Sequence, residues 1–187
     1  VINKNIKLLN GHPLIAWSIK ACLKSKLFDR VIVSTDSEKY REIAIKYGAE
    51  VPFLRSKSSS KDSSTDYEWM IELVLKLQLE GVVPELLAHI RPTTPLRNLK
   101  MMKKAIKTIK KTENVDSLRT VHEMSETAYK SFELNKNNLL TTLNGLKINL
   151  SNTSDARQTL PKTYTANGYI DIIKRETLLK YKSIHGK

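Results

Sequence analysis

The chain has 187 residues and a hydrophobic fraction of 40%, which fits one domain with its own core. Its formal net charge is +13, from 32 basic and 19 acidic residues. The single cysteine, Cys22, excludes an intrachain disulfide and a zinc site built from cysteines. No apolar run approaches the roughly 20 residues of a membrane-spanning helix, and no signal-peptide pattern is present, so we expect a cytoplasmic protein with no membrane partner.

The strong positive charge has two interpretations. The first is a basic surface for nucleic acid. The lysines are dispersed, however, and with only three phenylalanines the sequence has no alternation of aromatic and basic residues suited to stacking bases. A lysine-rich surface combined with a small anionic substrate accounts for the charge as well, and we expect no nucleic-acid partner.

The first fifty residues predict two helices on either side of a strand. Asn10-Gly11 predicts a turn, and apolar residues recur at helical spacing after Pro13. Residues 30–36 are rich in β-branched side chains and predict a buried strand. Asp36, at the end of that strand, either faces a ligand or caps the helix predicted over residues 37–47.

A polar loop follows at residues 55–64, after an extended stretch around Pro52. The loop is rich in serine and lysine and has no apolar anchor, so it is either a flexible connector or a segment that closes over an anion. Residues 65–79 then predict a helix with one apolar stripe that includes Trp69 and Met70.

The stretch from Leu86 to Arg97 predicts a strand, a rigid turn and the approach to a helix. Residues 86–90 form a short apolar run typical of a buried strand in a parallel sheet. Two prolines then interrupt pairing, because proline has no N–H to donate, and a helical pattern begins after Pro95. Ligands bind beyond the carboxyl ends of the strands in open α/β sheets. The turn, with its arginines Arg91 and Arg97, therefore either faces an anion or is an ordinary loop with solvated arginines.

The last third predicts a small β excursion from an α/β body. It contains, in order, a strand at residues 116–121, short extended pieces at 129–134, 139–143 and 147–150, a central strand at 169–173 and a helix at 175–181. We expect a partner subunit to cover the open edges of the excursion. The whole pattern predicts an α/β fold with a doubly wound, mostly parallel sheet.

Asp171 and Arg157 are candidate site residues of this last third. Asp171 lies inside an apolar strand, where a carboxylate must be paired, bind a metal ion or face a cavity. Arg157 follows a polar loop and either reaches an anion or is a surface arginine. The four histidines lack metal-ligand spacing, so the sequence predicts no histidine-based zinc site.

Seven short motifs, taken in order, resemble those of bacterial acylneuraminate cytidylyltransferases, the CMP-sialic acid synthetases, over nearly the whole chain. The matching stretches are Lys4-Asn5-Ile6, Asn10-Gly11-His12-Pro13-Leu14-Ile15, residues 28–36, residues 47–55, residues 91–97, Arg157-Gln158-Thr159-Leu160-Pro161 and Asn167-Gly168. Each motif is weak by itself, and their common order and spacing make the signal specific.

This resemblance implies a single Rossmann-like α/β/α nucleotidyltransferase domain with a dimerisation arm at about residues 125–165. It implies that the anomeric hydroxyl of a nine-carbon 2-keto-3-deoxy acid sugar attacks the α-phosphate of CTP, which forms CMP-sugar and pyrophosphate for surface glycan synthesis. Catalysis would rest mainly on positioning and charge neutralisation, with Mg²⁺ or Mn²⁺ required. A homodimer with shared sites is also implied. Another sugar nucleotidyltransferase is the alternative enzyme.

The resemblance also assigns roles to individual residues. Nucleotide-binding residues are expected at Lys4, Asn5, Arg55, Ser64 and Thr65. Sugar-binding residues are expected at Arg91, Thr93, Lys130, Arg157 and Asp171. Lys130 and Arg157 fall on the arm that would reach toward the neighbouring subunit.

Three departures from the family pattern carry further expectations. We expect the family's basic nucleotide loop, with the catalytic residues, upstream of Val1 and its metal-linked aspartates beyond Lys187, which leaves Asp171 as a candidate metal ligand. Sialic-acid enzymes usually carry Gln at the position of Arg91 and an aromatic residue at that of Asp171. The pair either selects another sugar, with legionaminic acid as the leading candidate, or is a salt bridge that preserves the shape of the pocket.

Overall fold

The structure is a computed structural model that describes residues 3–143, 146 and 148–186. It divides into two compact units, one of Val1–Thr120 with Gly168–Lys187 and one of Val121–Asn167. The arm expected at about residues 125–165 falls within the second unit. Among the described residues, no helix has both the length and the apolar character that spanning a membrane requires.

The predicted helices are confirmed, with ends that differ from the predicted ones by a few residues. The helices are α1 (Leu14–Ser25), α2 (Glu38–Lys46), α3 (Asp66–Leu79), α4 (Leu99–Lys111) and α5 (Arg175–Tyr181). The strands are β1 (Leu8–Leu9), β2 (His12–Pro13), β3 (Leu86–His89), β4 (Ser117–Glu123), β5 (Phe132–Leu134), β6 (Leu140–Thr142) and β7 (Tyr164–Lys174).

The central sheet has the strand order β3-β7-β4. β7 lies antiparallel to β3, with Leu87 opposite Ile173 and His89 opposite Asp171. The prediction that residues 86–90 form a parallel ladder is therefore wrong for this pairing, because β7 enters the sheet at the end where β3 finishes. β3 is also only partly buried, since the cavity described below runs along it.

Side chains alternate across β7, so the strand packs against helices on both faces of the sheet. Ile170 and Ile172 belong to an apolar cluster with α4. Ile173, on the opposite face, packs against Met70 of α3 and against α5. The first unit thus has the three layers of the predicted α/β/α fold. Asp171 shares the face of Ile173 and is directed toward the α3 side.

Residues 30–36 are extended but do not form the regular strand that their composition predicts. Glu50 pairs through its N–H and its carbonyl with the residues on both sides of Ile32, which gives one parallel bridge. The next donor of a parallel ladder would be Pro52, which has no N–H. Pairing resumes at Arg55, whose N–H donates over 2.8 Å to a carbonyl of the extended segment.

The second unit contains the hairpin of β5 and β6. Its short 3-10 turns are Ala128–Lys130, Leu150–Ser154 and Arg157–Thr159. The extended pieces predicted at residues 129–134 and 139–143 are confirmed where they coincide with β5 and β6. The piece predicted at residues 147–150 is wrong at Leu150, which begins a 3-10 turn, and its Lys147 lies outside the described residues.

Candidate active site

A cavity of about 1070 Å³ lies in the first unit, lined by the extended segment 28–37, by β3 and by the turn after β3. α1 contributes an apolar side that includes the buried thiol of Cys22. Of the predicted binding residues, those that line the cavity are Lys4, Asn5, Arg55, Arg91 and Thr93. The resemblance thus selected positions that the fold brings to one cavity.

Ser64 and Thr65, two predicted nucleotide contacts, instead organise the start of α3. The Thr65 hydroxyl accepts from the Glu68 N–H at 3.4 Å, and the Glu68 carboxylate accepts from the Thr65 N–H at 2.9 Å. This reciprocal capping box satisfies two donors at the helix start. Ser64 Oγ donates to the Ser58 carbonyl at 3.2 Å. Neither residue is among the described residues that line the cavity.

Arg91, which lines the cavity, bridges two carboxylates. Its Nη1 donates to Asp171 Oδ2 at 2.6 Å, and its Nη2 donates to Asp66 Oδ2 at 2.7 Å. Asp171 is 1% exposed and also accepts from the guanidinium of Arg119, over 3.3 Å to each oxygen. A buried carboxylate is tolerated here because both of its oxygens are paired. The salt bridge that the sequence offered as one alternative is therefore present.

These contacts keep Arg91 and Asp66 ionised. Burial alone would raise the pKa of Asp66, but the charge of His89, present when that ring is protonated in acid, and the hydrogen bonds from Trp69 and Arg91 bring that pKa below its ordinary value. Burial alone would lower the pKa of Arg91, but its hydrogen bonds to Asp171 and Asp66 raise that pKa above its ordinary value. Opposite charges close to one another stabilise the charged form of each group.

His89 stands beside this ion network without joining it by a hydrogen bond. Its Nδ1 lies 3.9 Å from Asp66 Oδ2, and its ring packs edge-on against Trp69, with 5.1 Å between ring centroids. Burial, assisted by Arg91, lowers the pKa of His89 to about 4, although Asp66 and Asp171 oppose the shift. The imidazole is therefore neutral at pH 7.

Arg55 is held in the cavity wall by contacts from two sides. Its Nη2 donates to the Ser34 carbonyl at 2.8 Å, and its Nε donates to Ser34 Oγ at 3.1 Å. Its guanidinium carbon lies 5.2 Å from the centre of the Trp69 ring, within the range of a cation–π contact. The side chain is thus fixed between the extended segment and α3.

Arg97 holds the turn after β3 in place, so it fits neither sequence alternative of an anion-facing or a solvated arginine. Its guanidinium donates to the backbone carbonyls of Tyr169 and Arg91. Gly168 has φ +64, a conformation that favours glycine, and a Cβ there would lie 3.5 Å from Thr94 Oγ1. The Asn-Gly motif of the resemblance therefore lets this turn lie close to β7.

The part of the chain that the structure describes contains no set of ligands for the expected metal ion. Among those residues, no group of three or more His, Cys, Asp or Glu side chains is arranged so that it could hold a metal ion. Asp171, the candidate ligand, accepts hydrogen bonds from Arg91 and Arg119 through both oxygens. It therefore does not fit the role of a metal ligand.

Lys130 and Arg157 belong to the second unit, where their contacts are local. Lys130 ends a 3-10 turn, and Arg157 Nη2 donates to the Met124 carbonyl at 3.5 Å. The Thr127 hydroxyl donates to the Pro161 carbonyl at 2.8 Å and ties the two turns together. That both residues contact the sugar acid stays a prediction.

Sequence reasoning missed Asp66, Trp69 and Arg119 as members of the site. One signal was visible: Asp66 and Trp69 are three residues apart on a predicted helix and so lie on one face. In the structure, Trp69 Nε1 donates to Asp66 Oδ1 at 3.2 Å. Arg119 carried no comparable signal, because its contact with Asp171 depends on β4 lying next to β7.

Known relatives share extensive sequence with the chain. It is 30% identical to post-translational flagellin modification protein B of Campylobacter coli, over 100% of the chain and 77% of that protein. Identity is 38% with CMP-N,N'-diacetyllegionaminic acid synthase of Legionella pneumophila, over 55% of the chain and 44% of the relative. The chain is 33% identical to pseudaminic acid cytidylyltransferase of Campylobacter jejuni, over 72% of the chain and 58% of that relative. The match thus spans less than two thirds of the last two relatives.

A solved structure of CMP:2-keto-3-deoxy-manno-octonic acid synthetase in complex with CTP has the same fold, with a TM-score of 0.67. The superposition covers 96% of this chain and 70% of that chain at 12% identity. The family model described as Cytidylyltransferase matches residues 1–178. The predicted resemblance and the Rossmann-like fold are confirmed, and the chain belongs to the cytidylyltransferase family.

Proposed function

We propose that the protein joins CMP from CTP to a nonulosonic acid, a nine-carbon 2-keto-3-deoxy acid sugar, and releases pyrophosphate. The observation that supports this most directly is that Lys4, Asn5, Arg55, Arg91 and Thr93 all line one cavity. Cationic and hydroxyl groups around one cavity suit a triphosphate and a sugar carboxylate. The names of the relatives support the same class of substrate.

In the proposed reaction, the anomeric oxygen of the sugar bonds to the α-phosphorus of CTP, and the bond from that phosphorus to the β-phosphate oxygen breaks. Pyrophosphate carries away the electron pair, and the proton of the hydroxyl passes to solvent. The residues of this chain bind and orient the two substrates, which brings the reacting atoms together. Lys4, Asn5 and Arg55 are assigned to the nucleotide, and Arg91 with Thr93 to the sugar.

We infer that the preferred sugar is a diamino nonulosonic acid of the legionaminic or pseudaminic type, with legionaminic acid the leading candidate. Support comes from Arg91, which lines the cavity and whose guanidinium lies between Asp66 and Asp171. An acylated diamino sugar carries one more amide than a sialic acid. Its N–H and carbonyl suit a neighbouring carboxylate and guanidinium.

The test measures pyrophosphate release from CTP, in the presence of Mg²⁺, with sialic, legionaminic and pseudaminic acids in turn. We expect release with a diamino acid and a shift of kcat/KM toward sialic acid in Arg91→Gln by about tenfold, since a lost hydrogen bond to a charged group has this order of effect. Arg41→Gln serves as the control, because Arg41 makes an exposed ion pair on α2.

An equal loss of activity with all three sugars in Arg91→Gln would mean that Arg91 supports only the fold. Turnover with hexose 1-phosphates, and none with nonulosonic acids, would assign the protein to another group of sugar nucleotidyltransferases.

We also propose that the protein is a homodimer formed through the second unit. Apolar side chains of this unit are exposed to solvent, at 66% for Leu134 and 61% for Leu139. Leu134 lies opposite Leu140, which is also exposed, so apolar side chains are neighbours on this hairpin, as is typical of an interaction surface.

A further inference from the structure

The carboxylate of Glu72, on α3, holds the polar loop at residues 55–64 against this helix by hydrogen bonds. Glu72 Oε1 accepts from the Ser56 N–H at 2.9 Å. Glu72 Oε2 accepts from the Ser56 hydroxyl at 2.8 Å and from the Ser59 hydroxyl. Ser59 is 4% exposed, which is unusual for a serine in a surface loop. A flexible connector was one interpretation of this loop from the sequence. In the structure, the beginning of the loop is held on α3 by these hydrogen bonds.

Lys76, one helical turn after Glu72, ties the preceding extended stretch to the same carboxylate. Its Nζ donates to Glu72 Oε1 at 2.6 Å and to the Leu54 carbonyl at 3.3 Å. The ammonium also lies 4.4 Å from the centre of the Phe53 ring. Burial alone would raise the pKa of Glu72, but hydrogen bonds from Lys76 and the two serines lower that pKa to about 2. The carboxylate is therefore charged throughout the physiological range.

Arg55 lies in the chain between the extended stretch that ends at Leu54 and the part of the loop that begins at Ser56. Its backbone N–H donates to the Thr35 carbonyl at 2.8 Å, and its guanidinium contacts Ser34 and Trp69. Leu54 and Ser56, on either side of Arg55, are both held by the Glu72–Lys76 pair. The direction in which Arg55 enters the cavity is consequently set by α3 together with the extended segment.

We propose that Glu72 is a positioning residue, which acts through the loop at residues 55–64 to place Arg55 for binding the nucleotide. Glu72 itself is not among the described residues that line the cavity, so it acts without touching substrate. This inference rests on the proposed function for its effect on CTP. The structural part of the inference, that Glu72 holds the loop on α3, depends only on the contacts of Glu72.

The test compares Glu72→Gln with Glu42→Gln, an exposed glutamate on α2. We expect Glu72→Gln to speed tryptic cleavage at Lys57 and Lys61 by about tenfold and to raise the KM for CTP by a similar factor, because charge-assisted hydrogen bonds of this kind are lost. The KM for the sugar and kcat should change by less than about threefold, since the substitution leaves the sugar side intact. Glu42→Gln should match the unmodified protein.

A second pair of variants separates anchoring from general loss of stability. Ser59→Ala removes a bond to Glu72, whereas Ser58→Ala removes only an exposed bond between serines. We expect faster loop cleavage in Ser59→Ala and not in Ser58→Ala. Unchanged cleavage or an unchanged KM for CTP in Glu72→Gln would overturn the proposal. If the unmodified protein does not turn over CTP, the proposed function fails, and loop cleavage still decides whether Glu72 anchors the loop.

Discussion

The imidazole of His89 makes the free energy of unfolding depend on pH in a defined window. Its pKa is about 4 in the folded protein and 6.5 as the ordinary value. Between these values the unfolded chain binds a proton that the folded chain does not. The stabilising contribution of His89 to the free energy of unfolding is therefore complete above pH 6.5 and is lost progressively as the pH falls toward 4.

We expect His89→Gln to flatten the fall in unfolding free energy between pH 7 and pH 5, measured by urea denaturation. His122→Gln is the control, because His122 is exposed on β4. His185→Gln should also flatten this fall, because burial and Arg119 lower the pKa of His185. The contribution of Glu72 is lost only as the pH falls below its ordinary value of 4.5. An unaltered pH profile in His89→Gln would contradict the assignment of this window to His89.

Single residues also show how far the sequence defines the site. An isolated carboxylate in an apolar strand requires compensation, so pairing of Asp171 was one of three stated alternatives. The structure realises the pairing through Arg91 and Arg119. The identity of Arg119 was out of reach, because a contact 52 residues apart in the chain depends on which strands are neighbours.

At the scale of elements, the beginning of α3 depends on Thr65. We expect Thr65→Ala to lower the free energy of unfolding by about 1 kcal/mol, since the N-cap hydrogen bond and its capping box are lost. Thr65→Ser keeps the hydroxyl and should retain most of that stability. Chemical denaturation of the three proteins checks this prediction, and equal stability of all three would refute the capping role.

Helices were more predictable than strands for a physical reason. The amphipathic spacing and cap residues of α3 are local, and α5 follows its predicted range of residues 175–181. A strand exists only through its partner, and Pro52 in the neighbouring segment reduces residues 30–36 to one bridge. Similarly, the direction of β7 relative to β3 depends on the path of the chain between them.

At the scale of the whole molecule, association through the second unit is the main open prediction. We expect the protein to be a dimer by light scattering, and Leu134→Lys combined with Leu139→Lys to make it a monomer, because charges oppose burial of the exposed apolar surface. Leu79→Lys is the control, since Leu79 is 88% exposed on α3 in the first unit. A monomeric unmodified protein would refute the proposed homodimer.

Cys22, the single cysteine of the chain, lies on α1, and its reactivity can report how often its thiol becomes exposed. Burial raises the pKa of Cys22 to about 11, and alkylating reagents attack thiolates rather than thiols. At neutral pH the thiol therefore reacts slowly with such reagents while α1 stays packed. With one cysteine in the chain, the rate of alkylation reports how often this thiol becomes reachable, through the cavity that it lines or by movement of α1 away from its neighbours, without any engineered label.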